Sequence, residues 1–425
     1  MMQLVLIIVR TSLEGACMQG SALSYPGSTM GTVSTHRIIY FMGFLDLLGV
    51  SLILPLILPV VNSLGASHIT AGCITSLYGA IQLLSSPLAG WWSDGIGRRP
   101  VLLVCTLATA LSYVLLGASS SLLVIVIARV IAGVFKHSQT MCRAVLVDVT
   151  RVQDRSHVFG TFNATSSMGF IVGPMLGGHL SELHNGFTVV CNLAAALFIV
   201  DFVLCWLFIP EKANNQSRVE AKTPTNQPRQ SRSLIHDIEW SIFWDVFLIR
   251  FFLSFSSLVY RSNFSLLIKE NFGASPKVIG YLISFQGIIS ATAGFLTGRV
   301  SKLYHNSSQE LFHSSILLCL ALFGLTVAPS LPFLLICLVP LCISTAVIRV
   351  SSTAVTIGRC RPSQVGSITG FGQSIASVAR MVTPIVAGAA QQTSLYGPGL
   401  IGTVAAAVGA TFAGFVSREV KLKEL

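Results

Sequence analysis

Apolar residues fall in long runs along this chain, each about long enough to cross a bilayer. Some 20 helical residues, at about 1.5 Å each, span roughly 30 Å of hydrocarbon. Such runs occupy approximately residues 38–61, 72–92, 101–118, 121–146, 161–180, 188–209, 242–265, 278–298, 311–328, 332–354, 366–390 and 398–416. The pattern predicts an all-α membrane protein with twelve transmembrane helices. Residues 210–240 interrupt it with Asn, Gln, Ser, Pro and the cations Lys212, Arg218, Lys222, Arg229 and Arg232. Such a stretch cannot bury a core and reads as a cytoplasmic linker. The expected units are therefore a leader at 1–37, a six-helix bundle at 38–209, a second at 241–416 and a tail at 417–425. Two like halves in a membrane are the architecture of repeat-built transporters, with the solute site near the midplane between them.

Composition strengthens the membrane assignment: 52% hydrophobic and 10% charged residues, with mean hydropathy +0.74, leave too little polar surface to coat soluble domains. The net charge of +11 does not point to nucleic acid, because the cations are scattered between apolar runs instead of sharing one solvated face. They report topology instead. With the N-terminus in the cytoplasm, the inner segments hold seventeen cations: Arg37, Arg98, Arg99, Arg151, Arg155, the five of the linker, Arg299, Lys302, Arg359, Arg361, Arg418, Lys421 and Lys423. The outer loops hold only Lys269 and Lys277, so the positive-inside rule places both termini in the cytoplasm. Met1–Val9 is apolar, but its first cation, Arg10, follows the apolar stretch, the wrong order for a signal peptide. Most of the ten cysteines (Cys73, Cys105, Cys191, Cys205, Cys319, Cys337 and Cys342 among them) lie in or beside apolar runs without metal-ligand spacing. They read as small hydrophobes, and no metal or cofactor is expected. The sequons at Asn163, Asn215 and Asn306 fall on the membrane or cytoplasmic side, and Asn263 lies close to the bilayer, so glycosylation gives no clue to the compartment.

After the second run comes Gly90-Trp91-Trp92-Ser93-Asp94-Gly95-Ile96-Gly97-Arg98-Arg99-Pro100. Glycines let two helices approach closely, and an acid with two arginines can make charge-assisted bonds to neighbouring helix ends and hold a gate shut. Alone, the stretch would read equally well as a basic loop between two spans. The fifth run carries Gly169, Gly173, Pro174, Gly177 and Gly178; small residues four apart allow tight packing, and proline kinks the helix. The eleventh run echoes it. Gly160–Gly178 and Gly370–Gly388 align without a gap, pairing Ser167 with Ser377, Pro174 with Pro384 and Gly178 with Gly388.

The first stretch resembles the G-x-x-x-D-[RK]-x-G-[RK]-[RK] signature of the major facilitator superfamily, which lies between that family's second and third helices. The resemblance implies a cytoplasmic gate latch of Asp94 and Arg98, with Asp148 as third member. Gly95 replaces the usual basic residue, and the second-half counterpart, Gly294-Phe295-Leu296-Thr297-Gly298-Arg299, lacks its acid. Both departures imply a weakened latch. The fifth run is similar to the antiporter signature of the drug/proton exchange branch. An acid in the first helix (Asp46) and an arginine in the fourth (Arg129, with Gly133) also match that branch, and the likeness covers residues 38–416. Tetracycline/proton antiporters and a vertebrate orphan group of the superfamily look most alike. The family implies a major facilitator fold, two pseudo-symmetric six-helix bundles, working as a monomer.

Charges inside a bilayer cost about 2.5–3.5 kcal/mol at its centre, so each should face the bundle interior or a partner. Away from the span ends stand the acids Asp46 and Asp201, the bases Arg129, Lys136, Arg250, Arg349 and Arg380, and His137. Two acids cannot neutralise so many bases. Arg129, Arg250 and Arg380 are therefore the candidate binding groups for an anionic solute, since arginine keeps its proton and can grip a carboxylate or phosphate through two bonds. Arg143 and Arg261 are read as snorkelling to the interface. Asp46 is either the proton site or the ion partner of Arg129; Asp201 is read as structural. The expected function is secondary active transport of a small solute by alternating access, coupled to protons as an antiporter. Retention of the fold by a transport-poor sensor, or proton-independent facilitation, are the competing readings. No Walker-type phosphate loop or H-E-x-x-H constellation supports a pump or an enzyme.

Overall fold

The computed structural model describes residues 29–151, 153–209, 242–304, 306–360 and 365–424; most of the expected leader and the whole linker lie outside the described residues. Twelve spans follow in order, α1 to α12. They are α1 (Thr29–Ile53, continuing as Ile57–Ser63), α2 (His68–Ile96), α3 (Arg98–Gly117), α4 (Leu122–Phe135, continuing as Ser138–Val149), α5 (Arg155–Leu180) and α6 (Gly186–Phe208) in the first half. The second half has α7 (Trp244–Ser262, continuing as Phe264–Phe272), α8 (Pro276–Ser301), α9 (Ser307–Thr326), α10 (Leu331–Gly358), α11 (Val365–Thr393) and α12 (Gly397–Glu424). Among the described residues, nine spans are long and apolar enough to cross a membrane, and α7, bent by 50° at its break, is a tenth. The remaining two, α5 and α11, have 26 and 29 residues but are rich in Gly, Ser and Thr. They are less apolar because each runs along the seam between the halves, not against lipid.

Several boundaries differ from those expected. The first span is interrupted over Leu54–Leu56, where Pro55 supplies no backbone N–H. The fourth is interrupted at Lys136-His137, and the seventh turns at Asn263 and continues to Phe272. The last helix runs on through the expected tail, since cations end an apolar run without ending a helix.

α1 packs on α5 and α6, α3 on α6 and α4, and α2 on α4; in the second half α7 packs on α11 and α12, α9 on α10 and α12, and α8 on α10. The halves meet where α2 lies on α11 and α5 on α8. Glycines make those approaches possible. A Cβ at Gly169, Gly173 or Gly177 would run into the α1 backbone at Phe44, Leu48 and Leu52 respectively, so one face of α5 lies flush on α1. Its next face meets the other half: Gly178 abuts Pro276, and the Pro174 carbonyl abuts Gly280. α11 repeats the arrangement on α2, with Gly388 against His68 and the Pro384 carbonyl against Gly72. The Pro174/Pro384 and Gly178/Gly388 correspondence in the sequence is thus also a correspondence of contacts.

These seams close only one end of the molecule, the far face, where α1 leads into α2. Polar contacts between the halves also lie there: His68 with Glu270 (3.7 Å), Lys277 with Glu182 (3.9 Å), the Tyr281 hydroxyl with His179 (3.1 Å), and Ser265 donating to the Leu54 carbonyl (3.4 Å). At the opposite end, the gate-loop face, Gly90, Gly294, Gly298 and Gly370 have no neighbouring element within 4 Å of a Cβ, and Trp91 and Phe295 are 77% and 80% exposed. The crevice between the halves therefore opens toward the gate loop.

Candidate functional site

The gate loop is built around a backbone that demands glycine: Gly97 has φ 113°, ends α2 and directly precedes α3. The turn brings Arg98 between two acids. Its guanidinium lies 2.6 Å from Asp94 and 3.2 Å from Asp148 at the end of α4, and donates to Ser93 Oγ at 2.5 Å. Arg99 reaches the Trp206 carbonyl on α6 at 2.6 Å. All three members of the expected latch are thus joined, within one half. Gly90 and Gly95 face open space. The second half has a pair that motif reading missed: Arg359 at the end of α10 donates to both Asp245 oxygens, each at 2.8 Å, and to the Ile242 carbonyl at 2.9 Å.

At mid-span the first half holds a buried ion cluster. Asp46 is 1% exposed and Lys136 8%. The break in α4 at Lys136-His137 lets the lysine turn inward, so that Nζ lies 2.5 Å from Asp46 Oδ1, donates to Ser138 Oγ at 3.1 Å, and sits 4.8 Å from the Phe198 ring centroid on α6. Ser138 Oγ donates to the same Asp46 oxygen, while Asp46 Oδ2 has no hydrogen-bond partner. Breaking a helix inside a membrane frees backbone carbonyls, which must find donors. α2 provides them: Gln82 Nε2 donates to the Lys136 carbonyl at 3.0 Å and Ser85 Oγ to the Gly133 carbonyl at 3.0 Å, with His137 Nε2 2.8 Å from the same hydroxyl. The ion partner of Asp46 is therefore Lys136 and not Arg129. The sequence signal was two consecutive titratable residues inside an apolar run.

Arg129 lies half-buried on α4 with its guanidinium 5.6 Å from the Tyr78 ring centroid on α2. Arg250 is buried on α7, packed against Gly372 of α11, with Nη1 lacking a hydrogen-bond partner. Arg380 is exposed on α11, as are Asn163 and Ser167 on α5 and Ser374 on α11. No contact joins Arg129, Arg250 and Arg380 to one another among the described residues. Arg143, read as an interface residue, hydrogen-bonds Asn163 Oδ1 at 3.0 Å, and Arg261 lies within electrostatic range of Arg349. Among the described residues, none of Arg129, Arg143, Arg250, Arg261, Arg349 and Arg380 has a carboxylate partner. Asn263 is buried and donates through Nδ2 to Gln391 at 2.7 Å, so its sequon is inaccessible.

The sequence pattern of the Major Facilitator Superfamily matches residues 39–260 and 246–424. A tetracycline resistance protein, class H, of Pasteurella multocida is 29% identical over 265 residues, 60% of this chain and 65% of that protein. Major facilitator superfamily domain-containing protein 10 of Bos taurus is 27% identical over 405 residues, covering 83% of this chain and 86% of its own. Among solved structures, the human organic anion transporter MFSD10 superposes with TM-score 0.62 at 22% identity, over 92% of this chain and all of that one. At that identity the likeness speaks for the fold.

Proposed function

This chain belongs to the Major Facilitator Superfamily, and from that premise we propose that it is a proton-coupled antiporter of a small organic anion, with the gate loop and both termini facing the cytoplasm. Membership makes it a multi-pass secondary transporter of small solutes, and not an enzyme; the solute's charge and the coupling ion are the proposed part. One observation carries the proposal: six arginines on α4, α7, α10 and α11 have no carboxylate partner among the described residues. A permanent cation at membrane depth is stable only facing water or an anion. Four of the six, Arg250, Arg261, Arg349 and Arg380, belong to the second half, whereas the buried Asp46–Lys136 pair belongs to the first. In this reading the second half supplies most of the charge that attracts the anion, and the first half handles the proton. The organic anions named for the human structural neighbour agree with this solute class, and the seventeen-to-two distribution of cations supports the orientation.

The test is counterflow in proteoliposomes loaded in turn with small organic anions, neutral analogues and cations, with and without an imposed pH gradient. Anion exchange accelerated by the gradient is the expected result, and lysine in place of Arg250 or Arg380 should restore anion binding only in part, because it keeps the charge but loses the two-bond geometry. Preferential movement of cations would overturn the solute assignment, and indifference to the gradient would overturn the coupling.

A further inference from the structure

The latch, the seams and the unpaired arginines leave a buried acid of α6 unassigned. Asp201 on α6 is 1% exposed, and its Oδ1 has no hydrogen-bond partner. The titratable groups within electrostatic range of it are Asp46 from α1, Lys136 and Cys142 from α4, and Cys205 on its own helix. Cys105 of α3 adjoins Asp46 and Lys136. One cation therefore serves two carboxylates.

That cation is already committed. An ammonium has three N–H groups, and those of Lys136 are directed to Asp46 Oδ1, to Ser138 Oγ and to the face of Phe198. Phe198 and Asp201 are three residues apart on α6 and share a face. The lysine is thus pressed against the turn beside Asp201 with no donor left for it. An ionised carboxylate there would be a second buried negative charge beside Asp46, with neither a cation nor a hydrogen bond at Oδ1. Buried carboxyl groups in such surroundings keep their proton, and two acids in one dry site share one.

We propose that Asp201 is the proton-carrying carboxylate of this buried cluster, taking up and releasing the transported proton beside the Asp46–Lys136 ion pair. Proton loading forms one O–H bond at Asp201 and release breaks it; no other bond changes. The proposal deepens the proton-coupled reading above and rests on it for its role in transport, but the protonation itself can be measured separately.

The experiment is infrared spectroscopy of the purified full-length protein in lipid nanodiscs at neutral pH, following the carbonyl stretch of neutral carboxylic acids. Subtracting the Asp201→Asn spectrum from wild type should leave one such band, and Asp201→Glu should shift the band without removing it. An amide replaces a neutral acid with little change of shape or charge, so Asp201→Asn should keep the wild-type melting temperature, whereas Asp46→Asn strands Lys136 and should lower it. In proteoliposomes, Asp201→Asn should lose the component of solute flux driven by a pH gradient. No band difference between wild type and Asp201→Asn, or a loss of stability matching that of Asp46→Asn, would overturn the assignment. A wild type whose flux ignores the gradient while the band is present would refute proton coupling and leave the protonation of Asp201 standing.

Discussion

The far-face seams predict how the balance between the two ends of the transport cycle can be tilted. A Cβ at Gly280 would strike the Pro174 carbonyl oxygen, with the Pro174 carbonyl carbon at 3.0 Å and Met175 Cα at 3.4 Å. A Cβ at Gly72 would strike the Pro384 carbonyl in the same way. Every neighbour is backbone, so no side chain can rotate aside. Overpacking of this kind costs about 1–3 kcal/mol, and only while the seam is closed. The intrinsic helical gain of Ala over Gly accrues to both states and cancels. Each substitution should therefore shift the population away from the gate-loop-open state by about 5- to 150-fold. The two seams are separate, so the effects of Gly72→Ala and Gly280→Ala should add. Spin labels at Leu183 and Tyr396, both exposed far-face positions in opposite halves, report the separation by electron-spin distance measurement. The double variant should populate a longer distance, while Gly79→Ala, with nothing within 4 Å, should not. An unchanged distance distribution in the double variant would refute the argument that glycine at these positions holds the far face shut.

Other perturbations separate residues that look alike in the sequence. Asp94 is 65% exposed, so Asp94→Asn should cost at most about 1 kcal/mol of stability, whereas Arg98→Ala, which also strands the more buried Asp148, should cost about 1.5–3 kcal/mol; thermal unfolding in nanodiscs compares them. Gly97→Ala forces a side chain onto a backbone at φ 113° and should destabilise by about 1–3 kcal/mol in the same assay. Asn263 should carry no glycan even when expressed in cells that glycosylate, and endoglycosidase should leave the mobility of the wild type unchanged.

The spans and their division into halves were legible because lipid imposes a length and a composition that few other environments require. The glycine pattern of α5 was legible for a related reason: four-residue spacing of small side chains has one main use, close approach, and the contacts of Gly169, Gly173 and Gly177 with α1 realise it. Ion partners were another matter. The sequence pointed to Arg129 as the ion partner of Asp46, but a break in α4 turns Lys136 inward and gives it that place. That break contains no proline or glycine and depends on donors from Gln82 and Ser85, some 50 positions away. The surroundings of Asp201, read from the sequence as structural, were hidden for the same reason, since its neighbours come from α1 and α4. Arg359 escaped notice because it looked like one more positive-inside cation until Asp245 was placed beside it.

The two halves repeat their backbone more faithfully than their charges. Both first helices, α1 and α7, are broken near the far face, and the continuation of α7 meets the break of α1 across the halves, Ser265 donating to the Leu54 carbonyl. α2 and α8 each begin with a serine cap, Ser67 accepting from the Thr70 amide at 3.2 Å and Ser275 from the Val278 amide at 3.5 Å. Shape is thus duplicated, as a rocking motion about a shared seam requires. Charge is not. The first half concentrates Asp46, Lys136 and Asp201 in one buried cluster, while in the second half Arg250, Arg261, Arg349 and Arg380 have no carboxylate partner among the described residues. Mutual repulsion among like charges at membrane depth would oppose folding if nothing else were gained, because apolar replacements would fit the same helices at lower cost. Symmetric packing with an asymmetric charge distribution is what a carrier needs if its coupling ion and its solute have opposite charge: the geometry moves both halves together, and each half meets a different cargo.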